Sequence, residues 1–367
     1  MFRISLYILL VLLLTLQTQK HINAQTNDDG KVYKAKIVEV IESSGEVQKA
    51  KIEITEGQNK GKEVEASATN IQKSIEFNKG DEILVLETKD VQGEQIYYIT
   101  DFSRTNYLYI LFAIFAILSV FIAGVKGISS LIGLGASFLI IFKFILPFID
   151  RGYEPVTITI IGSIFIVATT FYLSHGFNKK TSISVVGTII SLIITGLLAL
   201  IFISKAKITG SASEELIFLQ AMRPGEFNAT GLLLSGIIIG TLGILDDITI
   251  SQASIVQELK KANPDISGQD LFIQTMSVGK DHIASLVNTL ILVYTGSFLP
   301  LLLLLNNNPQ PFSQVINYEI FAEEIIRTLV ASIGLILAVP ITTALATLVA
   351  TNFKSFWESS EEHHHYH

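Results

Sequence analysis

Gly231–Glu258 reads GLLLSGIIIGTLGILDDITISQASIVQE, and the reading of this stretch decides the fold. It begins as an apolar helix with small residues at helical spacing, and it carries two adjacent acids, Asp246 and Asp247, where a membrane helix would continue in hydrocarbon. A charged side chain at the bilayer centre costs roughly 2.5–3.5 kcal/mol on insertion scales, so such an acid faces protein or a water-filled cavity. On a helix, Gly236, Gly240, Gly243, Asp247, Ser251 and Ser254 fall on one stripe, with Asp246 turned about 100° away. Glycines let a second helix come close, so Asp247 is expected to point into a helix–helix seam.

The bulk composition agrees with a membrane setting. Of 367 residues, 49% are hydrophobic and only 16% charged, which is too little charge for a water-soluble chain with such long apolar runs. The formal net charge of −7 argues against nucleic acid as a partner, since phosphate binding is driven by Lys and Arg. With no Cys, disulfides, thiolate catalysis and Cys-based metal sites are excluded.

Seven apolar segments, near Tyr107–Val125, Gly127–Ile149, Val156–Leu173, Ile183–Ile203, Thr230–Ile250, Ile283–Leu305 and Ile325–Ala350, are each long enough to cross about 30 Å of hydrocarbon at 1.5 Å per residue. Ahead of them, residues 1–24 carry Arg3, a short apolar run and a polar end at Ala24. That pattern reads as a secretory signal cleaved after Ala24 or as an uncleaved anchor. Residues 25–104 are polar, with alternating β-branched residues. Lys31–Val40, Val47–Glu56, Glu63–Ile71, Asp81–Thr88 and Gln95–Phe102 read as five strands of a small OB-like barrel. The expected fold class is therefore an all-α polytopic bundle over residues 105–352, preceded by a small all-β domain outside the membrane. Residues 353–367 form a polar His/Glu-rich tail.

Orientation follows from charge. With the β domain outside, Lys126, His175, Lys179, Lys180, Lys260, Lys261, Lys280 and Lys354 fall inside, against Arg151, Lys205, Lys207 and Arg223 outside, a mild positive-inside bias. Ser213–Met222 is expected to form a short interfacial helix. The fifth span is expected to continue as a polar helix to Lys261 and break at Asn263-Pro264. The chain then resumes at Ser267 with Asp270 in a capping box.

Three stretches carry a resemblance. Gly240–Leu259 (GTLGILDDITISQASIVQEL), Val278–Leu290 (VGKDHIASLVNTL) and Glu324–Thr343 (EIIRTLVASIGLILAVPITT) resemble the YibE/F-like family of bacterial multispanning proteins, and the architecture agrees over the whole chain. The resemblance implies a multi-pass protein of the bacterial inner membrane, and an acid at the position of Asp247 with Asp246 the more variable. It does not imply an activity. Gly243–Ile248 alone is similar to the proton-relay helix of resistance-nodulation-division permeases, which implies acids that load and release protons. A desolvated carboxylate beside a second acid has the chemistry of a proton carrier.

Depth selects the partners. Lys143 lies near the outer end of the second span, most of a membrane away from the two acids, and is expected to snorkel outward. Asp281, His282, Ser285, Asn288 and Thr289 at the start of the sixth span, with Thr342, Thr343 and Thr347 in the seventh, lie at the right level. Pro340 would free the Ile336 carbonyl nearby. The candidate proton, cation or substrate site is thus Asp247, Asp246, His282, Asn288, Asp281, Thr342 and Thr343. Plain readings stand beside it: Asp247 as a capping carboxylate at the interface, His282 as a wet interfacial histidine and Asn288 as helix–helix glue.

No HExxH, phosphate loop or GxSxG elbow is present, so neither an enzyme nor a cofactor is expected. An Asp247–Asp281 pair keeps an intramembrane aspartyl enzyme open as an alternative. Residues 361–367 would hold a metal only weakly, and no metal site is expected. The functional expectation is a permease or transport subunit using an intramembrane carboxylate for proton or cation coupling. The competing reading is a membrane scaffold whose β domain recruits a partner. The lipid bilayer, a membrane-protein partner and a second copy of the chain are the expected associations.

Overall fold

The computed structural model describes residues 31–44, 47–57, 59–69, 76–90, 92–307 and 310–352. The expected signal segment 1–24 and the tail 353–367 lie outside them. The chain divides into two compact units, Met1–Phe115 and Ala116–His367.

In the first unit, strands β1 (Lys31–Ser44), β2 (Val47–Ile54), β3 (Glu63–Thr69), β4 (Glu82–Lys89) and β5 (Gln95–Phe102) close into a barrel in the order β1-β2-β3-β5-β4. β1 is long because it pairs with both neighbours. Lys31–Lys36 face β4 and Ala35–Ser44 face β2, and register shifts after Ile37 and Val40 bend the strand between the two ladders. β3 and β5 run parallel and close the ring. Alternate residues point inward, with Ala35, Ala50, Ala66 and Ala68 set among Ile37, Ile52, Ile54, Ile83, Val85 and Ile99. Mixing small and large side chains fills a barrel too narrow for uniform ones. Buried Gln48 supplies what a strand would: its amide donates to the Phe77 carbonyl at 2.8 Å and accepts from the Phe77 N–H at 3.0 Å. The expected small barrel is present.

From Thr105 onward, across the unit boundary, the chain has six helices long and apolar enough to cross a membrane, or seven if one bent pair counts as a single span, among the described residues. Helix α1 (Thr105–Ala123) has no buried residue. Gly124, at φ 57°, turns the chain into α2 (Val125–Ile140). A Cβ at Gly127 would fall 2.2 Å from the Ser119 carbonyl oxygen, so this turn requires glycine. A π turn at Ile141–Ile145 joins α2 to α3 (Leu146–Asp150). Pro147 explains it, because proline has no N–H to give the Lys143 carbonyl and its ring crowds that oxygen. Lys143 is exposed on this turn.

Helix α4 (Pro155–His175) starts on Glu154, which accepts from the Val156 and Thr157 N–H groups, and α5 (Lys179–Lys205) starts on Asn178. The short helix expected between spans is α6 (Glu214–Met222), capped by Ser213. Then come α7 (Ala229–Ala262) and α8 (Gly268–Ser297). Ser267 does cap α8, but the Asp270 carboxylate accepts from the Ser267 hydroxyl at 2.7 Å and completes no full capping box. Aspartate is one methylene shorter than the glutamate that reaches back to the cap's N–H.

The expected sixth span is not one straight helix. α8 ends at Ser297 and α9 (Leu299–Asn306) departs at 72°. The Gly296-Ser297 pair and Pro300, whose ring opposes the Gly296 carbonyl, account for the bend. After α10 (Phe312–Val315), α11 (Glu319–Asn352) runs unbroken through Pro340.

Helices α5, α7 and α11 pack mutually, with α4 against α7 and α8 against α11. The α5 face in this bundle is a row of buried hydroxyls, Ser184, Thr188, Ser191 and Thr195. Gly187 and Gly334 permit the approach of α5 to α11: a Cβ at either would fall 2.6 Å from Thr342 Oγ1 or 2.2 Å from Thr195 Oγ1 respectively.

Candidate functional site

The polar centre of the helical unit is built where α5, α7, α8 and α11 meet. Helix α7 turns Leu245, Ile248, Thr249, Gln252, Ala253 and Val256 into this seam, all fully buried or nearly so. Thr249 and Thr188 of α5 share a hydrogen bond of 2.7 Å between hydroxyls, and Ser184 donates to the Thr249 carbonyl at 3.3 Å. Three residues further on, Gln252 binds two other helices at once. Its carbonyl oxygen accepts from Thr343 Oγ1 of α11 at 3.1 Å, and its amide nitrogen lies 3.4 Å from His282 Nδ1 of α8. In that geometry the amide donates to Nδ1, which leaves the ring proton of neutral His282 on Nε2. Gly279 makes room, since a Cβ there would fall 3.1 Å from Gln252 Oε1 and 2.6 Å from Val339.

The two acids are oriented opposite to expectation. The stripe of Gly236, Gly240, Gly243 and Asp247 is the exposed face of α7. A Cβ at Gly236 or Gly243 would meet nothing within 4 Å, and at Gly240 only the Tyr294 hydroxyl, at 3.7 Å. The physical reason is apolar area: leucine, isoleucine and threonine gain far more from the seam than glycine can, so the helix turns that face inward. Asp247 is consequently exposed, while Asp246 is partly buried and its Oδ1 is enclosed with no hydrogen-bond partner.

Of the remaining expected residues, Thr342 and Thr343 are completely buried, and Thr342 Oγ1 has no partner. His282 is half-buried, whereas Asp281 and Asn288 are exposed. The structure therefore brings together His282 and Thr343, through Gln252. No hydrogen bond or ion pair joins Asp247 to Asp281 among the described residues, and no group of three His, Cys, Asp or Glu side chains there could hold a metal ion.

Sequence reasoning passed over Gln252, and it also passed over a charged group on α11. Arg327 Nη2 donates to Glu323 Oε1 at 2.8 Å, and Nη1 lies 3.3 Å from Glu324 Oε1. A signal was available in both cases: Gln252 lies six residues beyond Asp246 on the same helix, and Glu323 and Glu324 directly precede the apolar segment Ile325–Ala350, in which Arg327 lies.

A YibE/F-like protein family model matches residues 111–352, which is all of the helical unit from within α1 to the end of α11. The chain belongs to the YibE/F-like family. Several long apolar helices in a member of this family fit a multi-pass membrane protein, and the Gln252 junction lies wholly within the YibE/F-like region. No curated protein and no solved structure matches the chain.

Proposed function

We propose that this YibE/F-like protein is a permease or transport subunit of the bacterial inner membrane that moves a proton or monovalent cation through the seam of α7, α8 and α11. One observation carries the reading: the Asp246 carboxylate has an enclosed oxygen with no hydrogen-bond partner. Nearly all buried polar atoms in folded proteins are paired, so an orphan carboxylate oxygen marks a place for a proton or an ion. Asp246 is the accepting group. Asp247, exposed one position on, is the mouth on the open face of α7, and His282, Gln252 and Thr343 form a hydrogen-bonded chain across three helices beyond it. The exposed Asp281 and Asn288 serve the mouth from α8. In this reading the barrel lies outside the cell membrane behind a secretory signal and the C-terminus is cytoplasmic. The protein binds and releases an ion without making or breaking bonds in a substrate. Lipid and a second membrane subunit are its partners, and nucleic acid is not.

The test is proton flux into proteoliposomes driven by a potassium diffusion potential and followed with a lumenal pH dye. Asp246→Asn abolishes flux, and Asp247→Asn lowers it several-fold. Unchanged flux in Asp246→Asn removes this mechanism. If deletion of residues 25–104 abolishes biological activity while Asp246→Asn leaves it intact, the scaffold reading replaces the transport one.

A further inference from the structure

The charged group of Glu323, Glu324 and Arg327 lies in the opposite half of α11 from Thr343. Arg327 is eight residues, about 12 Å, into the helix, and Thr343 is about 24 Å beyond it. The side chains of Glu323, Glu324 and Arg327 are only 8%, 15% and 28% exposed. One guanidinium serves two carboxylates, so the formal charge of the group is −1. Each carboxylate uses one oxygen on Arg327. The second oxygens, Glu323 Oε2 and Glu324 Oε2, are enclosed and have no hydrogen-bond partner.

Among the described residues, the surroundings do not cancel that charge. The other ionisable groups facing the pair there are Glu319, on the same helix, and Tyr294 from α8. Glu319 is already engaged, accepting from the Thr209 and Gly210 N–H groups and the Thr209 hydroxyl. Helices α5 and α7 meet this part of α11 with an apolar collar that includes Ile203, Leu233, Leu234 and Ile237 around Val330. An uncompensated charge in such a place is costly, and the usual remedy is to take up a neutralising partner. A metal cation is poorly served here, because two free oxygens fall short of the six or more that hard cations gather and the guanidinium repels it.

We infer that Glu323 and Glu324 hold one proton between them, with Arg327 as the fixed counter-charge, as a proton-binding site separate from Asp246. One proton on either free oxygen brings the group to zero net charge. A coupled pair of this kind takes up that proton as a unit, and neither residue owns it. The inference does not depend on transport.

Infrared spectroscopy of the full-length protein in lipid nanodiscs tests it, in the Asp246→Asn background so that the enclosed carboxylate of α7 is silent. At neutral pH a protonated-carboxyl band is expected that shifts in heavy water. Glu323→Gln and Glu324→Gln should each remove it completely, because the remaining acid and Arg327 then balance. Both variants should melt within a few degrees of the parent, glutamine being close in shape to a protonated glutamate. Arg327→Gln should roughly double the band. Absence of the band in the Asp246→Asn parent, or its persistence in both Gln variants, overturns the inference.

Discussion

Gln252 is the residue on which the buried seam turns, because a single amide satisfies a threonine on α11 and a histidine on α8. Replacing it with leucine removes both bonds and leaves the Thr343 hydroxyl unpaired in a fully buried position. We expect Gln252→Leu to destabilise the helical unit by about 1–3 kcal/mol, measured by thermal unfolding in detergent. Adding Thr343→Val should recover part of the loss, since removing the orphaned hydroxyl removes its desolvation cost. Strict additivity of the two changes would show that the bond is not made. Sequence periodicity established that Asp246 and Asp247 lie about 100° apart on α7, but not which of them faces inward. That choice depends on how the whole helix is rotated, and the rotation follows the burial of Leu245, Ile248 and Thr249 against α5 and α11, which no local pattern contains. Gln252 was hidden for a related reason: a glutamine in a polar helical extension looks solvated until two other helices close over it.

Among the elements, α4 shows how a span is started. Glu154 is the cap before Pro155, outside the span itself. Partial burial pushes its pKa up, but the hydrogen bonds from Thr157 and Val156 outweigh this and hold it below the ordinary glutamate range. A depressed folded-state pKa stabilises above the unfolded value, about 4.3, and that contribution is lost as pH falls through the folded value. Glu154→Gln should therefore melt earlier than wild type near neutral pH, by about 0.5 kcal/mol for an exposed carboxylate at a helix N-terminus. The two melting curves should converge in acid. A difference that is the same at all pH values would mean that the charge contributes nothing. The long apolar helices were legible because runs of 18 or more apolar residues admit few other structures. The bend at Phe298 was not, although Gly296, Ser297 and Pro300 were all in view, because a proline in a membrane segment is tolerated wherever neighbouring groups satisfy the freed carbonyl. The π turn around Lys143 escaped for the same reason.

For the molecule as a whole, the barrel and the helical unit have separate cores, so they should unfold in separate transitions. Gln48→Ala orphans the buried Phe77 N–H and carbonyl. It should lower only the barrel transition, by roughly 4–8 °C per kcal/mol for a domain of this size, as followed by calorimetry. A single transition that moves as one would refute two independent units. The barrel was legible strand by strand because of its period-two pattern, clearest in β2, where the inward Ala50, Ile52 and Ile54 alternate with Lys49, Lys51 and Glu53. The length of α7 carries a last consequence. Its 34 residues make a rod of about 51 Å, against about 30 Å of hydrocarbon. Even tilted by about 40°, near the upper limit for such helices, it rises about 39 Å along the bilayer normal. Crossing a bilayer at that tilt, the helix would extend about two turns beyond the hydrocarbon as a stiff stalk, continuous with the turns that bear Asp246 and Gln252. Any torque applied to that stalk reaches the seam without passing through a joint.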